Sequence, residues 1–326
     1  MQTTMLDRIG GGFSLERLAG DASGKEYSRM RFPDGQTAVL LDAHAPFDPE
    51  RDDWLYFRSY LENCGVTVPE LYFMEPSGGL LYIEDCGDEL LQDRAKGAGK
   101  DELLTMYKKA LDVLILMQTE ATRRLDARNP ANKRKFDAEK YAQELDHAAE
   151  WYVIGYLSKN LHPNDQDRLN HFFHRLVSPL LELPTVFAHR DYHSRNIIIK
   201  GGEFYVIDFQ DARMGPPHYD VASLLFDSYV RLEEDVRGEL VEYYKKEAKK
   251  TALAGSIGGR FETELCRTAL QRNIKALGTF GFQAVSRKNA LYAKFMPDTV
   301  GYVERNIRLF DDLTGDVEWF SSLLHS

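Results

Sequence analysis

Cysteine is scarce: Cys64, Cys86 and Cys266 are the only three in 326 residues, an odd number without C-x-x-C spacing. That excludes a disulfide framework and a cysteine zinc site, and it fits reduced, buried thiols. Long apolar runs are missing too. The longest, around Val113–Met117, is core-sized and far short of the roughly 18 residues of a membrane span. The opening stretch, MQTTMLDRIGGG, lacks the basic-then-apolar pattern of a secretion signal. Positive charge is outnumbered, with 41 Lys and Arg against 51 Asp and Glu and a net charge of −10. Nucleic acid and anionic membranes would be repelled by that balance, whereas a bound magnesium ion can reverse the sign locally for a nucleotide. These absences predict a cytoplasmic protein with neither nucleic acid nor membrane as partner, and they leave the oligomeric state open. What is present, 43% apolar, 28% charged and 12% aromatic residues, is ordinary globular composition. The length has room for about two domains.

The first part of the chain reads as strands with one helix. Ala38–Leu41, Leu71–Met74 and Leu80–Ile83 are short apolar runs of strand type. Arg51–Asn63 has Trp54, Leu55, Phe57 and Leu61 at helical spacing, ended by Cys64-Gly65. After Asp85 the texture becomes helical over 101–119, 137–157, 165–181, 221–229, 233–253, 261–282 and 297–313, with one β stretch at Ile197–Ile207. The polar segment Arg123–Lys135 reads as a mobile loop. The expected division is a β-rich lobe over 1–87, a hinge at 84–88 and a helical lobe over 88–326.

Chemistry concentrates in HRDYHSRNIIIKGGEFYVIDFQDARMGPPHYD, residues 189–220. Gly201-Gly202 between two β-prone runs predicts a tight hairpin pairing Lys200 with Glu203 and Ile198 with Tyr205. Closing it brings Asp208 beside Asn196, one short loop from Asp191. Two carboxylates and an amide oxygen are hard ligands that suit magnesium and phosphates. Phosphoryl transfer needs one group to orient and deprotonate a hydroxyl and others to hold the metal. Asp191 is therefore the expected base, with Asn196 and Asp208 as metal ligands. His189 is expected to brace the loop. Its four-residue spacing to His193 lacks the Glu of a zinc motif.

His-Arg-Asp-x-x-x-x-Asn, the hairpin and Asp208-Phe209 form the kinase catalytic pattern. At these residues the chain resembles the aminoglycoside phosphotransferase and choline kinase superfamily. Within it, the chain is most similar to bacterial kinases of the anomeric hydroxyl of N-acetylmuramate and N-acetylglucosamine. Further matching segments are Asp21-Ala22-Ser23-x-Lys25-x-Tyr27-x-Arg29, Glu150-Trp151-Tyr152, Gly215-Pro216-x-x-Tyr219-Asp220 and Gln271-Arg272-Asn273-x-Lys275-x-x-Gly278-x-Phe280. The resemblance implies a protein-kinase-like bilobal α+β fold, with a small antiparallel sheet and a larger helical lobe. It also implies ATP as co-substrate with Mg2+, a small-molecule hydroxyl acceptor, and adenine held by backbone near Glu84 and Cys86.

One departure stands out. The strand Ala38–Asp42 ends in Asp where kinases offer a phosphate-binding Lys. Lys25 and Arg29 are the candidate replacements, beside Ser23 in the segment expected to cover the phosphates, and Arg58 is a possible partner for Asp42. Arg195, Gln271 and Arg272 are candidate acceptor contacts. Asp211 could orient Asp208 or cap a turn, and Asp220 could N-cap a helix or tie down the catalytic loop. Trp151 and Tyr152 could stack on a sugar or fill the core. Tyr219 follows Asp208 by only 11 positions and Ala-Pro-Glu is absent, which argues against a protein substrate. Aminoglycoside, choline and homoserine remain alternative acceptors, and a nucleotide-binding pseudokinase is the alternative of another class.

Overall fold

The computed structural model describes residues 9–18 and 26–325. The chain divides into two compact units, one running to Leu90 and including Ile197–Gln210, the other comprising Leu91–Asn196 and the chain from Asp211 onward. The division differs from the expected single boundary near 84–88, because hydrogen bonds attach the hairpin to the first unit. Ile199 N–H donates to Glu89 O at 2.7 Å and Val206 N–H to Thr67 O at 2.9 Å. Such pairings join residues far apart in sequence, so local composition carries no sign of them.

In the first unit, β1 (Ser14–Arg17), β2 (Glu26–Arg31), β3 (Thr37–Asp42), β4 (Leu71–Glu75) and β5 (Leu80–Glu84) form an antiparallel sheet in the order β1-β2-β3-β5-β4. Both sheet faces are covered at the centre: Met30, Ala38 and Tyr82 are buried on one face, Val39, Leu41 and Ile83 on the other. Helix α1 (Asp53–Asn63) starts where the Asp52 side chain accepts from Leu55 N–H at 2.9 Å. It buries Trp54, Phe57 and Leu61. Gly65, at φ 83°, stops it with the left-handed turn expected there. The hairpin of β7 (Ile197–Lys200) and β8 (Glu203–Val206) has the expected register, Lys200 opposite Glu203 and Ile198 opposite Tyr205. Its Gly201-Gly202 turn has positive φ at both positions, 61° and 83°, which only glycine adopts without cost.

The second unit is helical. Its elements are α2 (Leu91–Ala95), α3 (Lys100–Leu116), α4 (Ala138–Ala148), α5 (Pro163–Val177), α6 (His218–Leu225), α7 (Glu234–Ala248), α8 (Phe261–Val285), α9 (Met296–Ile307) and α10 (Val317–Leu323). A two-stranded pair, β6 (Val186–Ala188) with β9 (Arg213–Gly215), frames the catalytic segment. Helix α4 continues through a π-helical stretch, Ala149–Tyr156. There Tyr152 is buried and its hydroxyl donates to Leu324 O at 2.9 Å, so it belongs to the core rather than to a sugar-stacking surface.

Helix α8 lies hard against α4. A Cβ on Gly278 would stand 2.5 Å from Ala148 Cα, and one on Gly281 would stand 2.3 Å from Trp151 O. Glycine at these two positions allows a backbone approach that any side chain would block, and it brings the polar face of α8 to the catalytic loop. The Arg123–Lys135 segment, expected to be mobile, is anchored. Asn129 is fully buried and caps Ala131 N–H at 2.9 Å, and Lys135 bridges to Met214.

Candidate active site

The segment His189–Asn196 has little regular structure, so its shape depends on what holds it. Asp220, in the first turn of α6, accepts from His189 N–H at 2.7 Å and Arg190 N–H at 2.9 Å. Pro217 occupies the N-cap position, so Asp220 ties down the loop and does not cap the helix. These bonds hold Arg190 at φ 83°, a conformation costing a non-glycine residue about 1–3 kcal/mol. Asp227 accepts from both the backbone and hydroxyl of Ser194, at 3.0 and 2.5 Å, and from Tyr229 N–H at 2.8 Å. Tyr192 donates to Ala110 O at 2.8 Å. Burial, opposed by the N–H and O–H donors, pushes Asp220 up to about 7 and Asp227 up to about 6. His189 is fully buried with its ring edge-on to Tyr192 at 5.7 Å, consistent with bracing the loop.

Asp191 faces cations. Lys275 Nζ is 2.8 Å from Oδ1, Arg272 is 3.9 Å from the same oxygen, and Arg190 is 3.8 Å from Oδ2. Burial works against its charge, but Lys275, Arg190 and Arg272 outweigh burial and hold the carboxyl well below the usual carboxylate range. His193, edge-on to Tyr229 at 5.1 Å, is pushed down to about 3 by burial and is neutral near pH 7. Asn196 Nδ2 donates to Asp191 O at 2.9 Å. The five-residue spacing thus closes on itself and fixes the amide beside the start of β7.

Asp208 belongs to the first unit and follows β8. It lies at φ 64°, with Oδ1 accepting from Gln210 Nε2 at 2.6 Å. The neighbouring Phe209 is fully buried against Trp54, ring centroids 5.7 Å apart. Left-handed backbone thus occurs at both expected functional carboxylates, at Arg190 just before Asp191 and at Asp208 itself.

The other expected residues distribute as follows. Ser23 and Lys25 lie outside the described residues. Arg29 is buried and makes two hydrogen bonds each to Asp85, at 2.6 and 3.0 Å, and to Asp88, at 2.9 and 2.8 Å. A guanidinium so engaged is a strut between β2 and the residues after β5, and it is poorly placed to serve phosphates. Arg58 pairs with Glu62 and the Pro69 carbonyl, not with Asp42, whose Oδ1 accepts from His44 N–H at 2.7 Å. The Glu84 side chain accepts from Lys200 at 2.7 Å and Tyr205 at 3.1 Å. Cys86 is buried, its thiol pushed up to about 12 chiefly by burial. Arg195 lies over the rings of Tyr229 and Tyr292, 4.7 and 5.8 Å from their centroids. Gln271 donates to Glu144 at 3.2 Å, and Asp211 pairs with Arg190 at 3.0 Å.

A profile of the phosphotransferase enzyme family matches residues 14–255. The chain belongs to that family. The N-acetylmuramate/N-acetylglucosamine kinase of Pseudomonas aeruginosa is 32% identical over 266 residues, 80% of this chain and 74% of its own length. The enzyme of the same name from Neisseria meningitidis is 27% identical over 307 residues, 92% of this chain and 88% of its own. An aminoglycoside phosphotransferase solved with ADP bound shares the fold at a TM-score of 0.59. It covers 89% of this chain and 92% of its own at 14% identity. The fold is therefore the α+β, protein-kinase-like one.

In this phosphotransferase several site residues escaped the sequence reading: Asp227, Glu144, Arg213 and Lys275. The spacing of Gln271, Arg272 and Lys275 is that of one helix face, a signal that could have found Lys275. Asp227 has no such sign, because its partner Ser194 lies 33 positions away.

Proposed function

We propose that this phosphotransferase moves the γ-phosphoryl group of magnesium-bound ATP to the anomeric hydroxyl of an N-acetyl amino sugar. The observation that carries the reading is Asp191, held anionic and oriented by Lys275 at 2.8 Å on a loop pinned by Asp220 and Asp227. The acceptor hydroxyl donates to Asp191, its oxygen attacks the γ-phosphorus, the bond to ADP breaks, and the hydroxyl proton ends on the carboxylate. A carboxylate of low basicity takes that proton late, as fits a loose, metaphosphate-like transition state.

Asn196 and Asp208 would hold the ion. Both donors are oxygens, the chemistry Mg2+ requires, with phosphates and water completing its shell. When bound, the ion neutralises charge on the β- and γ-phosphates. The segment at Glu84 and Cys86 would take the adenine, and the stretch with Ser23 and Lys25 the phosphates. The ADP in the solved aminoglycoside phosphotransferase supports a nucleotide here.

The class of acceptor follows the relatives named N-acetylmuramate/N-acetylglucosamine kinase, whose matches cover 80% and 92% of this chain. A Mg2+-ATP phosphorylation screen over N-acetylmuramate, N-acetylglucosamine, choline and a kanamycin tests it. Turnover of the sugars with phosphate at C1 by 31P NMR is expected, and preferential turnover of choline or kanamycin would overturn the reading.

A further inference from the structure

Among the cations of the helical unit, Arg213 stands apart from those that pair with Asp191; the β6–β9 register sets it opposite Ala188, three positions before that carboxylate. It sits on β9, 8% exposed, and among the described residues its guanidinium has neither a hydrogen bond nor an ion pair. Its close contact is the face of Phe136, 5.2 Å from the ring centroid. Arg190, by contrast, pairs with Asp211 at 3.0 Å and lies 3.8 Å from both Glu144 and Asp191. Lys275 has Asp191. The buried Nε–H of Arg213 has no partner, and a buried guanidinium donor that has lost water and gained no acceptor is costly.

The surroundings point to an anion. Burial first and then Arg190 lower the pKa of the Arg213 guanidinium, which stays charged, with Glu144 and Asp211 opposing. Lys140, whose Nζ is 3.7 Å from Glu144, feels the same crowd: burial lowers its pKa, Glu144 opposes, and Arg190, Arg213 and Lys275 add to the lowering. Four cations therefore face one another from α4, the catalytic loop, β9 and α8. The nearest carboxylates, Glu144 and Asp211, are shared with Arg190. Arg213 Nε and Gln271 Oε1 are buried polar atoms with no hydrogen-bond partner in this cluster.

We propose that Arg213, supported by Lys140, is the anchor of a carboxylate-binding subsite at the root of the catalytic loop that selects acceptors carrying an acidic side group. This deepens the sugar-kinase reading and rests on it. The guanidinium fork matches a carboxylate with two parallel N–H···O bonds, which an ammonium does not. N-acetylmuramate differs from N-acetylglucosamine by a lactyl ether that ends in a carboxylate. The two sugars are therefore a matched pair that isolates this contact.

The test is the ratio of kcat/KM for N-acetylmuramate to that for N-acetylglucosamine, in wild type, Arg213→Gln and Arg213→Lys. Arg213→Gln should lower the ratio about 10–100-fold, the value of a hydrogen bond to a charged group, and Arg213→Lys should restore part of it. A purely structural Arg213 would lower both substrates by one factor and leave the ratio unchanged, which would overturn the proposal. If wild type phosphorylates neither sugar, the functional reading itself fails. Calorimetric binding of the two sugars then still decides the subsite, which falls if Arg213→Gln binds them in the wild-type ratio.

Discussion

Two arginines, one in each unit, show how the same side chain is used in opposite ways. Arg29 in the sheet unit meets two carboxylates, Asp85 and Asp88, through four hydrogen bonds. Arg213 in the helical unit is as deeply buried and meets none. The first arrangement is satisfied and holds β2 to the segment after β5. The second is unsatisfied and stands opposite Ala188, three positions before the carboxylate assigned to chemistry. Where a buried cation is fully paired its role is architectural, and where it is left over, a ligand is the natural partner.

The comparison can be broken in several places. The largest stability effect is expected at the loop anchor: Asp220→Ala strands the N–H groups of His189 and Arg190 and should cost roughly 3–5 kcal/mol, with loss of activity. Urea unfolding of the purified variant measures it. A cost under about 1 kcal/mol would mean that the loop holds itself.

Arg29→Met comes next. It leaves Asp85 buried without its cation and should cost about 3 kcal/mol by the same measurement. The KM for ATP should stay near wild type at a temperature where the variant is folded. A large rise in that KM would return Arg29 to the phosphates and erase the contrast with Arg213.

A pH titration sharpens the same division. Asp220 has a folded-state value of about 7 against an ordinary value of 3.8. Its contribution to stability is therefore complete below about pH 4 and is lost as pH rises through 7. The stability of wild type relative to Asp220→Asn should fall by about 3 kcal/mol between pH 4.5 and pH 8. Using the difference between the two proteins removes His193 and His218, both pushed down to about 3 by burial. Their effect runs the other way, with stability lost as pH falls below the ordinary histidine value. A relative stability that rises with pH would contradict the assignment.

The smallest effect belongs to Asp88, whose side chain is 76% exposed. Asp88→Asn should change unfolding stability by less than about 1 kcal/mol, because Asp85 still satisfies Arg29.

How far these features were legible in the sequence follows from their range. The hairpin register was readable because Gly201-Gly202 dictates the turn and the turn dictates the pairs. The long helices were readable from their apolar spacing, and α1 from the same spacing and the Cys64-Gly65 stop. Strands β6 and β9, three residues each, are too short for a pattern. The hairpin's attachment to the first unit and the Arg29 strut join positions far apart in the chain, which no local rule reports. At the site, the spacing of Asp191 to Asn196 was legible because those residues bond within one loop. Lys275 reaches Asp191 from α8 and was open to detection from its spacing to Gln271 and Arg272, whereas Arg213 is set opposite Ala188 by a strand pairing that only folding reveals. Asp220 illustrates the middle case: a helix was anticipated from Val221 but starts at His218, and the carboxylate turns to the loop because the N–H groups of His189 and Arg190 need an acceptor.

The most direct test of Asp191 as the group that handles the acceptor hydroxyl is to measure nucleotide affinity and sugar-dependent turnover on one sample of Asp191→Asn. ATP affinity within about threefold of wild type, with turnover of N-acetylglucosamine or N-acetylmuramate down about 10²–10⁴-fold, is the predicted result. Turnover within tenfold of wild type, or a loss explained entirely by weaker ATP binding, would contradict it.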